Sequence, residues 1–214
     1  METKAAANSE EKPNIEKPST PKASTTENHN TDKSGTDKPT HEAEEWFALK
    51  AGYKETLAAS IFEKAGLRVY APQIKVDVTY RNKKKIVMRS LIPNTLFVYT
   101  SFRVLNAIKN NHPFITYSYK KVDGKFKILK IPTREMERFI DSSTKMQNDI
   151  TYFKPDEIEL KKGDRVRIVG GLFDGYEGFL LKAKGRAKRM FVINFEMLGS
   201  LGTHIEPEYI QLIK

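Results

Sequence analysis

The chain reads as an α+β protein: an antiparallel sheet with packed helices, followed by a small β-barrel and preceded by a disordered tail. Three observations predict this. The first 44 residues hold only two large apolar side chains, Met1 and Ile15. From Trp46 to about residue 147, strand-like and helix-like hydrophobic periods alternate. After residue 158 only short strand-like runs remain, separated by Gly-rich or charged turns.

The tail, residues 1–44, is rich in Lys, Glu, Thr, Ser, Asn and Pro and cannot bury enough surface to offset its ordering entropy. Charge divides the chain in the same place. Residues 1–45 carry 6 Lys against 10 acidic groups, a net of −4. The remaining 169 residues carry 31 Lys or Arg against 17 acidic groups, a net of +14. A body this basic favours polyanionic partners, nucleic acid above all, because bound lysines and arginines release counterions. The chain has no cysteine, which excludes disulfides, thiol catalysis and cysteine metal sites and suits a reducing cytoplasm. No apolar run reaches the length of a membrane span, and the N-terminus has no apolar core of a secretory signal.

Residues 45–147 form the first domain. WFALKAG is a strand beginning at the only Trp. Residues 54–66 are a helix: Leu57, Ala58, Ile61, Phe62 and Ala65 recur at helical spacing and Gly66 ends it. LRVYAPQIKVDVTY is a strand broken at Pro72, RNKKK (81–85) a polar turn, and KIVMRSLI the returning strand. Pro93–Asn94 interrupts before the strand TLFVYTS. FRVLNAIKN is a short helix, and PFITYSYK and KFKILKI flank a VDGK turn. Thr133 is positioned to cap a helix through REMERFIDSSTKMQ, with Met136, Phe139 and Ile140 on one face. Residues 148–158 read as a linker. RVRIVGG, EGFLLKA, RMFVINFE and HIEPEYIQLI are the strands of the second domain, 159–214.

GGLFDGYEG (170–178) holds four glycines in nine residues and raises the question of a phosphate loop. It lacks the Gly-Lys-Ser/Thr ending and the GxGxxG spacing, and a strand rather than a helix follows it. Backbone shape accounts for its glycines: they permit the tight turns and bulges that close a small barrel. His112 and His204 are the only body histidines and are far apart, and no HExxH, GxSxG or paired apolar carboxylate is present. We therefore expect no catalytic residues, no metal site and no cofactor: the protein is not an enzyme. Two basic turns remain, Arg81, Lys83, Lys84 and Lys85, and the KAKGRAKR segment at 182–189. Such turns either contact phosphates or are simply solvated tips.

The segment LKKGDRVRIVGGLFDGYEGFLLKAKGR resembles a KOW motif, with Gly163, Asp164, Val166, Ile168, Gly171, Phe173 and Gly178 at the motif's positions. FVINFEMLGS and HIEPEYIQLI resemble the later strands of that SH3-like barrel. Upstream, EEWFALKAG, VYAPQIKV, SLIPNTLFVYTSF and IPTREMERFI resemble the amino-terminal domain of NusG-type transcription elongation factors, in the same domain order. The string Leu91–Val98, the Pro132–Met136 segment and the KPDEIELKKGDRVRI junction resemble specialised paralogues of the RfaH type, especially UpxY-type antiterminators of polysaccharide loci. The chain departs from housekeeping NusG at Ile92, Pro93, Asn94 and Thr95, where Phe-Pro-Gly-Tyr is usual, and from RfaH in lacking His-Thr-Thr.

The resemblance implies a cytoplasmic monomer that binds RNA polymerase on its clamp helices and promotes processive transcription, or antitermination, of long operons. The contact patch carried over comprises Trp46, Ile92, Thr95 and Phe97, with Ile92 and Thr95 expected exposed beside the Pro93–Asn94 turn. Arg81, Lys83, Lys84 and Lys85 would lie towards upstream or non-template DNA. Met197, Leu198, Gly199 and Ser200 would contact a second partner, in NusG ribosomal protein S10 or Rho, with Leu198 an exposed contact. The alternative is a ribosome-associated KOW-type RNA-binding protein. Strong β-formers such as Val166, Ile168, Phe191, Val192 and Ile193 argue against refolding of the barrel into helices.

Overall fold

Strand β1 (Glu45–Lys50) is the organising element, because both of its faces are buried. The structure, a computed structural model, describes residues 42–182 and 188–213. The expected tail therefore lies almost wholly outside the described residues, and so does the centre of the 182–189 basic turn.

Helix α1 (Glu55–Lys64) follows β1 and buries Ala58 and Phe62, while Leu57 points to solvent. Pro72 separates β2 (Arg68–Tyr70) from β3 (Gln73–Tyr80), and the break sends the two strands to different sheets. β3 pairs only with β4 (Lys83–Ser90), in an eight-pair hairpin. β5 (Thr95–Thr100) pairs with β1 and β2. Helix α2 (Phe102–Asn110) is capped by Ser101, whose hydroxyl accepts from the Val104 N–H.

The two strands expected around the VDGK turn are each split by one residue. They become β6 (Thr116–Tyr117), β7 (Tyr119–Val122), β8 (Lys125–Ile128) and β9 (Lys130–Ile131). The interrupting residues both bond to Ala48: its N–H donates to Leu129 and its carbonyl accepts from Ser118. Helix α3 (Thr133–Lys145) follows. Thr133 does not cap it: the N-cap position is Pro132 and no side chain accepts from the first turn.

The first sheet has the order β2-β5-β1-β6, with β9 also pairing on β1. Its period-two alternation separates two cores. Phe47, Leu49, Leu96 and Val98 face α1 and α2, packing on Phe62, Leu105 and Ile115. Each fully buried large apolar side chain of this kind contributes about 1.5–3 kcal/mol. Trp46, Ala48 and Phe97 face the other way, towards α3.

The residues expected as a linker contribute a strand. β10 (Thr151–Phe153) pairs with β14 (Gly199–Thr203), opening the six-stranded order β10-β14-β13-β12-β11-β15. Its other members are β11 (Asp164–Ile168), β12 (Glu177–Leu181), β13 (Met190–Phe195) and β15 (Ile210–Leu212). All strand pairs in both sheets are antiparallel. HIEPEYIQLI is mostly not strand: a 3-10 turn at Pro207–Tyr209 occupies its middle.

The four glycines of 170–178 divide into two roles. Gly170, Gly171 and Gly175 have φ of 89°, 70° and 78°, conformations that disfavour a side chain. Gly178 does not turn the chain. It lies inside β12, where an added Cβ would stand 2.4 Å from the Val192 carbonyl oxygen and 2.7 Å from the Phe191 ring.

Candidate functional site

The second face of the first sheet carries the residues expected to meet a partner. Register places Ala48 opposite Phe97 and Lys50 opposite Thr95, so Trp46, Ala48, Lys50, Thr95 and Phe97 share this face. Phe97 meets Phe139 of α3 edge-on at 6.1 Å between centroids, and Trp46 lies against Tyr99 at 5.6 Å.

Ile92 and Thr95 are held by a clamp that the sequence reading missed. Asn94 has φ 61°, and its side-chain oxygen accepts from the N–H groups of Ala51 (2.9 Å) and Tyr53 (3.1 Å). The Asn94 N–H donates in turn to Glu55 Oε1 at 2.5 Å, which also accepts from the Ser90 hydroxyl. The signal was Asn after Pro: a residue that tolerates the left-handed region and whose side chain bonds backbone amides.

The expectation that Ile92 and Thr95 are exposed fails. Ile92 is 8 % exposed and Thr95 5 %, and Trp46 and Phe97 are fully enclosed. The carboxy-terminal sheet supplies the cover: Phe191, Ile193, Phe195, Leu198 and Leu201 join Trp46, Phe97 and Phe139 in one apolar core. Phe195 packs edge-on against Phe139 at 5.2 Å, with the Arg138 guanidinium over its ring. Leu198, expected to be an exposed contact, is buried for the same reason.

Ile92, Thr95 and Phe97 therefore line a cleft of about 290 Å³ together with Met197 and Leu198. Two sets of residues expected to bind different partners are instead brought together. Gly199 (φ 86°) and Ser200 are buried beside them, and a Cβ on Gly199 would lie 2.3 Å from the Phe153 carbonyl oxygen. The Ser200 hydroxyl donates to Asn194 Oδ1.

Polar bonds fasten the contact at its rim. The Met197 N–H donates to Glu135 Oε1 at 2.7 Å, and the Lys120 ammonium reaches Met197 Sδ at 3.0 Å. Lys145 donates to the Tyr176 hydroxyl at 3.2 Å. Asp149 accepts from the His204 N–H (3.0 Å) and pairs with its imidazole Nδ1 (2.6 Å). Partial burial pushes the Asp149 carboxyl up, but the His204 hydrogen bonds and charge outweigh it and leave the pKa below its ordinary value.

The contact is not fully satisfied. Lys50 donates to the Thr95 hydroxyl at 2.9 Å, yet burial and then the Lys154 ammonium push its pKa down. Ser118, also lining the cleft, has a buried hydroxyl with no partner among the described residues.

The basic hairpin stands apart from this face. Arg81 and Asn82 alone make its turn, both at positive φ, so Lys83, Lys84 and Lys85 belong to β4 rather than to the turn. Register puts Lys83 opposite Tyr80 and Lys85 opposite Val78 on one face, and Lys84 opposite Thr79 on the other. The Arg81 guanidinium lies over the Tyr80 ring at 5.3 Å. Of the second basic turn, Arg189 is paired with Asp164 and donates to the Leu180 carbonyl. Lys184 and Arg186 lie outside the described residues.

Among the described residues there is no cluster of three potential metal ligands, and no helix is long and apolar enough to cross a membrane. The geometry is that of surfaces for binding, built on a mixed fold of antiparallel sheets and few helices.

Residues 44–140 match the family model described as transcription termination factor nusG. The match ends before the carboxy-terminal sheet. No curated protein matches the chain. Among solved structures, one described as domain interaction in Thermotoga maritima NusG is 16 % identical, covers 80 % of this chain and 98 % of its own, and has a TM-score of 0.40. A second, the MjSpt4:Spt5 complex in conformation B, is 15 % identical, with 79 % and 97 % covered and a TM-score of 0.24.

Proposed function

We propose that the protein is a non-enzymatic transcription elongation factor of the cytoplasm. In this reading the apolar face of Trp46, Ile92, Thr95 and Phe97 binds RNA polymerase at its clamp helices. The match of residues 44–140 to the nusG family model carries this reading. A solvent-excluded apolar face on an otherwise basic molecule supports it, since interface centres are apolar and poor in charge. The specialised antiterminator role, acting on long operons such as polysaccharide loci, belongs to the same proposal. So do the contact of Arg81, Lys83, Lys84 and Lys85 with upstream or non-template DNA and the second partner, ribosomal protein S10 or Rho, at Met197–Ser200.

Burial adds a condition to this reading. Both partner surfaces are enclosed in this closed arrangement, so binding requires the carboxy-terminal sheet to leave the face. The like-charged approach of Lys50 and Lys154 and the unpartnered Ser118 hydroxyl favour a contact that opens. Affinity for polymerase is then reduced by the fraction of molecules that are open.

The test is capture of purified core RNA polymerase by the full chain, compared with Phe97→Asp and with Leu198→Glu. Phe97→Asp should lose binding. Leu198→Glu, which puts a charge into the closed contact, should bind at least as tightly as the wild type. Absence of any capture by both the wild type and Leu198→Glu would refute the polymerase reading.

A further inference from the structure

The hairpin of β7 and β8, Tyr119 to Ile128, meets the cleft only at its base, through Tyr119 and Lys120, and the rest of it is assigned to no surface above. Its sequence, YKKVDGKFKI, carries four lysines and one aspartate. Register places Tyr119 opposite Ile128 and Lys121 opposite Phe126, so these four share one face. Lys120 stands opposite Lys127, and Val122 opposite Lys125, on the other.

Two features of this hairpin work against its own stability. Phe126 is 74 % exposed and Tyr119 56 %, so their rings stay largely in water. Lys120 and Lys127 are like charges directly across a strand pair, which is unfavourable. Lys121, Lys125 and Lys127 form no side-chain hydrogen bond or ion pair among the described residues. Bare rings and unpaired ammonium groups on one short ribbon fit a ligand that offers flat apolar faces beside regularly spaced negative charges.

The aromatic face does not stop at the hairpin. Tyr119 meets Tyr117 edge-on at 6.4 Å, and the Lys109 ammonium lies over the Tyr117 ring at 5.1 Å. Cations and rings therefore alternate from α2 to the tip at Asp123–Gly124.

We propose that this hairpin binds single-stranded nucleic acid. Bases stack on Phe126 and Tyr119, the phosphate between them lies against Lys121 on the same face, and flanking phosphates wrap the ribbon to Lys125 and Lys127 on the other. This is the combination of stacking platform and basic track by which proteins hold single strands without reading sequence. A duplex keeps its base faces stacked on one another and offers nothing to Phe126. An acidic polypeptide satisfies the lysines but leaves the exposed ring without a partner. Stacked bases and neutralised phosphates account for the binding without a contact to the sugar. The proposal rests on the elongation reading only for a source of single strands near the protein.

The experiment is fluorescence anisotropy of the full chain with labelled oligothymidylate and oligouridylate of about 12 nucleotides, and with a duplex of the same length, over a salt series. Phe126→Ala should weaken single-strand binding about tenfold and Phe126→Trp should retain it. The triple variant Lys121→Gln, Lys125→Gln, Lys127→Gln should lower the slope of log affinity against log salt by about 2. Thermal melting should match the wild type in all of these, because the altered side chains are exposed. The deoxy and ribo strands should bind within about threefold of each other.

Three outcomes overturn the proposal: no single-strand binding, a Phe126→Ala affinity within about twofold of wild type, or equal weakening of single strand and duplex by that variant. A preference of more than about tenfold for the ribo strand also overturns it, since that requires a sugar contact outside this mode of binding. Capture of core polymerase by Phe126→Ala, measured alongside, should be unchanged, so this proposal and the elongation reading fail separately.

Discussion

Glu135 offers the sharpest test of the closed arrangement. Its carboxylate accepts from the Met197 backbone N–H at 2.7 Å, linking the first turn of α3 to the β13–β14 turn. Glu135→Ala removes a charge-assisted acceptor and leaves that partly buried N–H unpaired. Such bonds are worth about 1.5–3 kcal/mol, and partial exposure argues for the lower end. A loss of about 1.4 kcal/mol from the closed form alone raises the open-to-closed ratio about tenfold. Where the closed form dominates, apparent affinity for polymerase rises by the same factor. The assay is equilibrium titration of core polymerase with the full-length variant, beside a thermal melt. Glu135→Gln separates the causes: it keeps a side-chain acceptor and should give a smaller gain, although it loses the same favourable charge at the helix N-terminus. Equal gains in both variants would point to the helix charge. Unchanged or weaker polymerase binding in a folded Glu135→Ala would refute the argument that the carboxy-terminal sheet masks the site.

Gly178→Val forces side-chain atoms into the Val192 carbonyl and the Phe191 ring and should cost the carboxy-terminal sheet more than about 3 kcal/mol. Urea denaturation followed at the two halves should show that sheet lost first, with polymerase binding by residues 44–140 retained or, once unmasked, tightened; a sheet of wild-type stability would refute the close-approach reading. Acid should weaken the Asp149–His204 tie. The His204 hydrogen bonds and charge hold the Asp149 carboxyl below the ordinary aspartate range in the folded protein, so the unfolded chain binds the proton more readily, and this stability is present above the unfolded value and lost as pH falls through the folded one. Asp149→Asn should therefore destabilise the protein near neutrality and flatten the acid limb of its pH–stability curve, as read by denaturant midpoints between about pH 2 and 7.

The strand aromatics, the helix periods at α1 and α3 and the break at Pro72 were legible because each depends on local spacing and backbone restriction. β14 was not, since Gly199 and Gly202 depress the strand signal; they are there because Phe153 crowds both positions. β10 was hidden in a segment whose polar composition reads as linker, and its strand state comes from pairing with β14. The splits at Ser118 and Leu129 likewise arise from bonds to Ala48, seventy and more residues away in sequence.

The candidate site divides in the same way. Which residues make apolar strands is written in the sequence: β1 and β5 are nearly continuous apolar runs, and such runs are excluded from water, whereas the shared face of Trp46 and Phe97 follows from the pairing register. Composition likewise determines that the body is basic and that its hairpins carry the charge. What covers the apolar face depends on groups distant in sequence, Phe195 on Phe139, Met197 on Glu135 and Leu198 beside Ile92, and no local pattern encodes such an encounter. Only the tertiary structure decided that the two expected partner surfaces bury each other, because shape and polar matching between separate elements selects one closed arrangement from many apolar ones.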